Sequence, residues 1–166
     1  HGVVVVDENK TLIAYATRGG ASAEVALKIA EVLRRKYGFD VDVVNLREKP
    51  SPDISPYRHI IVGSGVRAQR VYKESVNFLE SNDFEGKNVA IFILSLEAGN
   101  PKTYPKAVAK YVKGLLEKCP HVKPVAAEAF GGRMKILGFK VADALDFGKV
   151  EAWTESLGEK LRGKTS

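Results

Sequence analysis

The run Leu12-Ile13-Ala14-Tyr15-Ala16, followed directly by Thr17-Arg18-Gly19-Gly20-Ala21-Ser22, decides how this chain is read. Five consecutive uncharged, almost wholly apolar residues suit a strand buried on both faces. From Val25 the period changes: Val25, Ile29, Val32 and Leu33 recur at three- and four-residue spacing, with Lys28, Glu31, Arg34 and Arg35 opposite. That is an amphipathic helix, with Gly38 as its C-cap. Amides at a helix N-terminus have no internal partner and point outward with a partial positive charge, which suits a phosphate. Thr17 and Ser22 add hydroxyls, Arg18 adds charge, and Gly19 and Gly20 let backbone approach a ligand closely. A plain strand-to-helix turn capped by serine fits the same spacing. The loop has neither the lysine of a nucleotide-hydrolysing phosphate loop nor the three-glycine dinucleotide fingerprint, so a mononucleotide suits it better.

Outward from this unit the alternation continues. Val41, Val43 and Val44 mark a second strand, and Pro50, Pro52 and Pro56 then impose an extended loop. Ile60–Val62 form a third strand, a helix spans about Val71–Glu80, and Val89–Leu94 form a fourth strand. A helix over Tyr104–Lys118 and a fifth strand over Val122–Phe130 follow. A final helix is striped by Val150, Trp153, Leu157 and Leu161, with Asp146 as its cap. Parallel neighbours need helical crossovers, so the pattern predicts a three-layer, doubly wound α/β fold with a five-stranded parallel sheet. Strand order 2-1-3-4-5, the flavodoxin-like arrangement, places a ligand beyond the carboxyl ends of the strands, where the winding reverses. The loops after Ala16, Val62 and Leu94 are all rich in Gly, Ser or Thr, and that convergence locates the site.

Composition narrows the rest. The 166 residues suit one domain, taken as residues 11–166, with residues 1–10 read as a tag remnant or flexible N-terminus because the chain opens His1-Gly2. Cys119 is the single cysteine, so neither an internal disulfide nor a cysteine cluster can form, which points to a reducing, cytoplasmic location. The net charge of +6 permits attraction to acidic proteins or anionic lipid. A basic face lacks interleaved aromatics, so no nucleic acid partner is expected. His59 and His121 have no ligand-spaced partner, and no metal is expected. A receiver domain would need acidic residues where Thr17, Arg18 and Ser64 stand.

The stretch from Leu12 to Ala26 resembles the flavodoxin phosphate signature, hydroxyl-x-x-Gly-x-hydroxyl. It resembles still more the flavodoxin-like protoporphyrinogen dehydrogenases, and the likeness continues through Gly63-Ser64-Gly65-Val66-Arg67 as Gly-x-x-x-Arg. It weakens after about Leu94. That resemblance implies FMN as cofactor, protoporphyrinogen IX as the compound oxidised, and a quinone such as menaquinone as acceptor. It also implies that Thr17, Arg18, Gly19, Gly20, Ala21 and Ser22 hold the phosphate, and that Ser64, Gly65, Val66 and Arg67 form one wall beside the flavin. Ser95, Leu96, Glu97, Ala98 and Gly99 would form the other.

Within that frame Arg67 is the catalytic candidate. It could neutralise a reduced flavin, grip a substrate carboxylate as a bidentate donor, or be a solvated surface arginine. The 95–101 loop departs from flavodoxins in having no aromatic before Tyr104, which leaves either an open flavin or packing by Leu96. Glu97 is expected to face solvent or an arginine. Residues 131–145 mix Arg133, Lys135 and Lys140 with Met134, Ile136, Leu137, Phe139 and Val141. They suit an amphipathic helix on the sheet, or else a quinone or peripheral membrane contact. An electron carrier without a substrate of its own is the competing function.

Overall fold

The computed structural model describes residues 8–163; the expectation for residues 1–7 lies outside them. Five strands form the main sheet: β1 (Lys10–Ala16), β2 (Asp40–Asn45), β3 (His59–Ser64), β6 (Asn88–Ser95) and β7 (Ala126–Gly131). They are parallel throughout, in the order β2-β1-β3-β6-β7. Between β3 and β6 lie a small hairpin, β4 (Val66–Arg67) and β5 (Arg70–Val71), and the helix α2 (Lys73–Ser81). The expected order 2-1-3-4-5 is thus the observed one, and α1 (Ala21–Tyr37) lies between β1 and β2.

Alternation of side chains along β1 explains the two layers. Leu12 and Ala14 join a core with Ile60, Val62, Phe78, Ile91 and Tyr111. Ile13 faces the opposite way, into a core with Val25, Ile29, Leu33, Ile61, Phe92 and Leu157. The first core is covered by α2 and the helical run α3 (Tyr104–Ala107), a π-helical turn (Val108–Lys113) and α4 (Gly114–Lys118). The second is covered by α1 and α5 (Phe147–Gly163). Gly38 ends α1 in the left-handed conformation at φ 66°, as a C-cap should. Asp146 caps α5, its carboxylate accepting the Gly148 and Lys149 amides at 2.9 and 3.3 Å.

Two expectations change. The fifth strand starts at Ala126 rather than Val122; Pro120 and Pro124 have no amide hydrogen to give a ladder, so Val122 is buried in a loop instead. Residues 131–145 are not a helix on the sheet. They form an antiparallel hairpin of β8 (Arg133–Ile136) and β9 (Phe139–Asp143), turned by Leu137 at φ 51° and Gly138 at φ 83°. Cation and apolar residue alternate there with period two, which is strand patterning.

Candidate functional site

The loops after β1, β3 and β6 meet around one cleft of about 790 Å³, well inside the ~300–1,000 Å³ usual for small-molecule sites. Thr17, Arg18, Gly19, Ala21 and Ser22 line it from the first loop, Gly65, Val66 and Arg67 from the second, and Ser95, Leu96 and Glu97 from the third. Gly20 and Ser64, both expected at the site, are not among the residues lining it. Ala98 and Gly99 turn away and line a separate cavity of about 670 Å³ beside β7. Among the described residues no His, Cys, Asp and Glu cluster could hold a metal.

The first loop enters α1 without a side-chain cap: Gly20 occupies the N-cap position at φ 90°, a conformation that favours glycine. Ser22 is therefore not the cap that a plain turn would use. Ser22 is 1% exposed, and its hydroxyl has no hydrogen-bond partner among the described residues. Thr17 Oγ1 accepts the Gly20 amide at 2.9 Å, which leaves the threonine O–H free to donate toward the cleft. The first-turn amides of α1 have no intrahelical acceptor, so an anion there meets several neutral donors at once. Arg18 is drawn sideways, its guanidinium 3.7 Å from the Glu74 carboxylate and 5.2 Å from the centre of the Tyr72 ring. Arg47 approaches Glu74 to 3.8 Å and donates to the Thr17 carbonyl at 3.3 Å, bracing the loop from outside.

The second wall is the β4–β5 hairpin, whose turn residues Ala68 and Gln69 take φ of 51° and 60°. Ser64 Oγ fixes its base, donating to the Gly65 carbonyl at 2.7 Å and accepting the Tyr72 amide at 3.1 Å. A Cβ on Gly65 would stand 3.2 Å from the Tyr72 ring and 3.5 Å from Ser22 Oγ, so glycine keeps two walls close together. Tyr72 itself faces the cleft, and burial pushes its phenol pKa upward. From the sequence, Tyr72 reads only as part of the helix expected over about Val71–Glu80. An aromatic at the start of a helix, close behind a glycine-rich loop, was the signal available.

In the third loop Glu97 corrects an expectation. It faces neither solvent alone nor an arginine: Tyr111 O–H donates to its carboxylate at 2.9 Å. Tyr111 is 2% exposed and sits in the π-helical turn, and burial, then the Glu97 bond, pushes its pKa up to about 12. π-turns are rare and gather at functional sites. Thr103 Oγ1 holds the Glu97 carbonyl at 2.6 Å, so the loop is fixed at both ends of this residue. The β8–β9 hairpin supplies a further wall through Met134, Lys135 and Ile136, and Arg133 ties it to Glu24 in the first turn of α1 and to Asp143 at 3.5 Å.

A doubly wound parallel sheet with a cleft at its switch point, opening on the N-terminus of the helix after β1, defines the flavodoxin-like class of α/β proteins. Residues 12–156 match the family model of the flavodoxin domain, and the chain belongs to that family. Protoporphyrinogen IX dehydrogenase [quinone] of Escherichia coli strain K12 is 24% identical over 109 residues, a match covering 64% of this chain and 60% of that protein's length. Among solved structures, oxidised flavodoxin 2 from Bacillus cereus superposes with a TM-score of 0.62 at 20% identity, over 91% of this chain and 99% of the other. Rubredoxin:oxygen oxidoreductase from Desulfovibrio gigas gives 0.61 at 14% identity, over 95% of this chain and 37% of that one. These structures share the fold. Family membership supports a flavin cofactor, typically FMN, and electron transfer. No helix among the described residues is long and apolar enough to cross a membrane.

Proposed function

We propose that the cleft holds one FMN, and that the protein uses it to oxidise a reduced organic substrate of the protoporphyrinogen kind, passing electrons to a quinone or protein acceptor. One observation carries the cofactor assignment: an uncapped helix N-terminus beside a buried serine hydroxyl that has no partner among the described residues. A buried hydroxyl without a hydrogen bond costs about 1–3 kcal/mol, and a phosphate oxygen would relieve that cost. The donor set therefore fits the cofactor.

Thr17, Gly19, Ala21 and Ser22 hold the phosphate on this reading, with Gly20 shaping the turn as the N-cap and Arg18 at the loop's edge. Ser64, Gly65, Val66 and Arg67 flank one side of the ring, and Ser95, Leu96 and Glu97 the other. Ala98 and Gly99 support the second wall from behind. FMN supplies the redox chemistry, while the protein orients it and sets its electrostatics. Arg67 makes no ion pair among the described residues and lies on the cleft wall, so it serves to balance negative charge or to bind a substrate carboxylate. Glu97, held by Tyr111, is the one carboxylate lining the cleft among the described residues.

The extra wall contributed by residues 133–138 favours the enzyme over a pure carrier, because it lengthens the cleft beyond its three loops. On the same reading, residues 131–145 are the edge that meets a quinone or a membrane. Titration with FMN, followed by quenching of flavin fluorescence, tests the cofactor; protein that leaves FMN fluorescence unchanged refutes it. Oxidation of protoporphyrinogen with a quinone acceptor tests the substrate. FMN uptake without that turnover, but with electron exchange to a redox protein, selects the carrier.

A further inference from the structure

The β8–β9 hairpin breaks several rules of a water-exposed surface at once. Seven large apolar side chains are exposed among the described residues, and five of them belong to this one hairpin. Leu137 at the tip is 93% exposed and Phe139 is 75% exposed. Leu137 also takes a left-handed φ of 51°, where Gly, Asn or Asp would be the unstrained choice. Beneath the tip, Lys135 and Lys140 stand directly opposite each other across the two strands. Opposed like charges destabilise a strand pair in water. Solvation and cross-strand charge are both unfavourable as the hairpin stands, and one kind of surroundings satisfies both, while the left-handed φ holds a leucine rather than a glycine at the tip.

We infer that this hairpin is a docking wedge for an anionic lipid surface: Leu137 and Phe139 enter the headgroup–acyl boundary while Lys140, opposite Lys135, engages the headgroups. The dimensions agree. Arg133 fixes the hairpin's base through Glu24 and Asp143. Leu137 lies four residues beyond it, which at ~3.3 Å per residue gives a reach of about 13 Å. Interfacial apolar groups sink about 5–10 Å, so the tip reaches that depth while the body stays in water. A second copy of the chain is the poorer occupant, because two such hairpins laid together would crowd four lysines. The net charge of +6 adds long-range attraction to the same surface. This inference rests on the reading of residues 131–145 as a membrane-facing edge and names its lipid chemistry; Leu137, Phe139 and Lys140, on which its test rests, are not among the residues lining the cleft.

Co-sedimentation of the full chain with vesicles tests it, using equimolar phosphatidylglycerol and phosphatidylcholine against phosphatidylcholine alone. The wild type should pellet with the anionic vesicles, and added salt should weaken that binding. Leu137→Asp with Phe139→Asp should lower the partition about tenfold or more, and Lys140→Glu should lower it several-fold. All three side chains point into solvent, so the fold should survive; unchanged circular dichroism and FMN uptake check that independently of the lipid result. Wild-type protein that ignores anionic vesicles overturns the inference, and so do variants that bind as the wild type does. Concentration-dependent dimerisation abolished by Leu137→Asp would also overturn it, in favour of a contact between copies.

Discussion

Ser22→Ala separates a ligand-binding hydroxyl from a structural one, because the two roles predict opposite signs. Ser22 Oγ is buried and has no partner among the described residues, while its side chain packs at the N-terminal turn of α1. Deleting it removes a desolvated polar atom that costs about 1–3 kcal/mol, against the loss of a few van der Waals contacts. The apoprotein should therefore be as stable as wild type or more stable by up to about 1 kcal/mol, a rise of ~2–4 °C in Tm for a chain of this size. With FMN the sign reverses. A hydrogen bond to a charged phosphate oxygen is worth roughly 1.5–3 kcal/mol, so the Kd should rise between about tenfold and 150-fold. Fluorescence titration gives the Kd, and thermal melts with and without FMN give both signs in one preparation. An apoprotein that loses stability while its FMN affinity stays at the wild-type value would show that the hydroxyl serves the fold, and the phosphate assignment would go with it.

His59 makes acid stability predictable. It is fully buried against Phe39, and burial pulls its pKa from 6.5 down to about 4. The unfolded chain takes up a proton between those values that the folded chain refuses, so stability is complete above about pH 6.5 and declines toward pH 4. The loss is about 2 kcal/mol at pH 5; urea unfolding should show it, and His59→Leu should flatten that part of the profile. Gly63→Ala would place a methyl inside the Phe92 ring, so it should cost about 3 kcal/mol or more by calorimetry, with partial recovery in the double variant bearing Phe92→Leu. Additive losses would mean the two positions do not touch. Tyr111→Phe removes the donor to Glu97 and should lower stability by about 1–2 kcal/mol. Glu97→Gln should lose less, since an amide oxygen still accepts the tyrosine hydrogen; equal losses would discount the bond.

The topology was readable because its signals are local. Strand, glycine turn and amphipathic helix follow one another within Leu12–Gly38, and the period of apolar residues distinguishes each element from the next. The site loops were readable for the same reason, since a parallel doubly wound sheet sends the ends of β1, β3 and β6 to one place. What escaped is what depends on distant partners. Nothing local in Tyr104–Lys118 announces a π-turn, and only the fold brings Tyr111 to Glu97 across fourteen positions. The Arg133–Glu24 pair spans 109 positions and has no sequence signature. The hairpin lay within reach of a period-two reading, but five apolar residues in water argued for a helix packed on the core.

Charge in the cleft is distributed in a way that bears on the proposed chemistry. Arg18 is engaged by Glu74, and Arg133 by Glu24 and Asp143, so two of the arginines nearest the α1 terminus arrive already paired. A phosphate there would meet mainly neutral donors: the first-turn amides, Thr17 and Ser22. Arg67, on the wall assigned to the ring, has no ion pair among the described residues. A neutral nest binds the cofactor through a charge that electron transfer leaves alone, whereas an unpaired cation beside the ring responds to each electron added. Arg67→Gln should therefore lower the flavin midpoint potential while leaving the affinity for oxidised FMN within about threefold, and potentiometry alongside titration reads both. A variant that loses affinity and keeps its potential would move Arg67 to the phosphate end and reverse this division of labour.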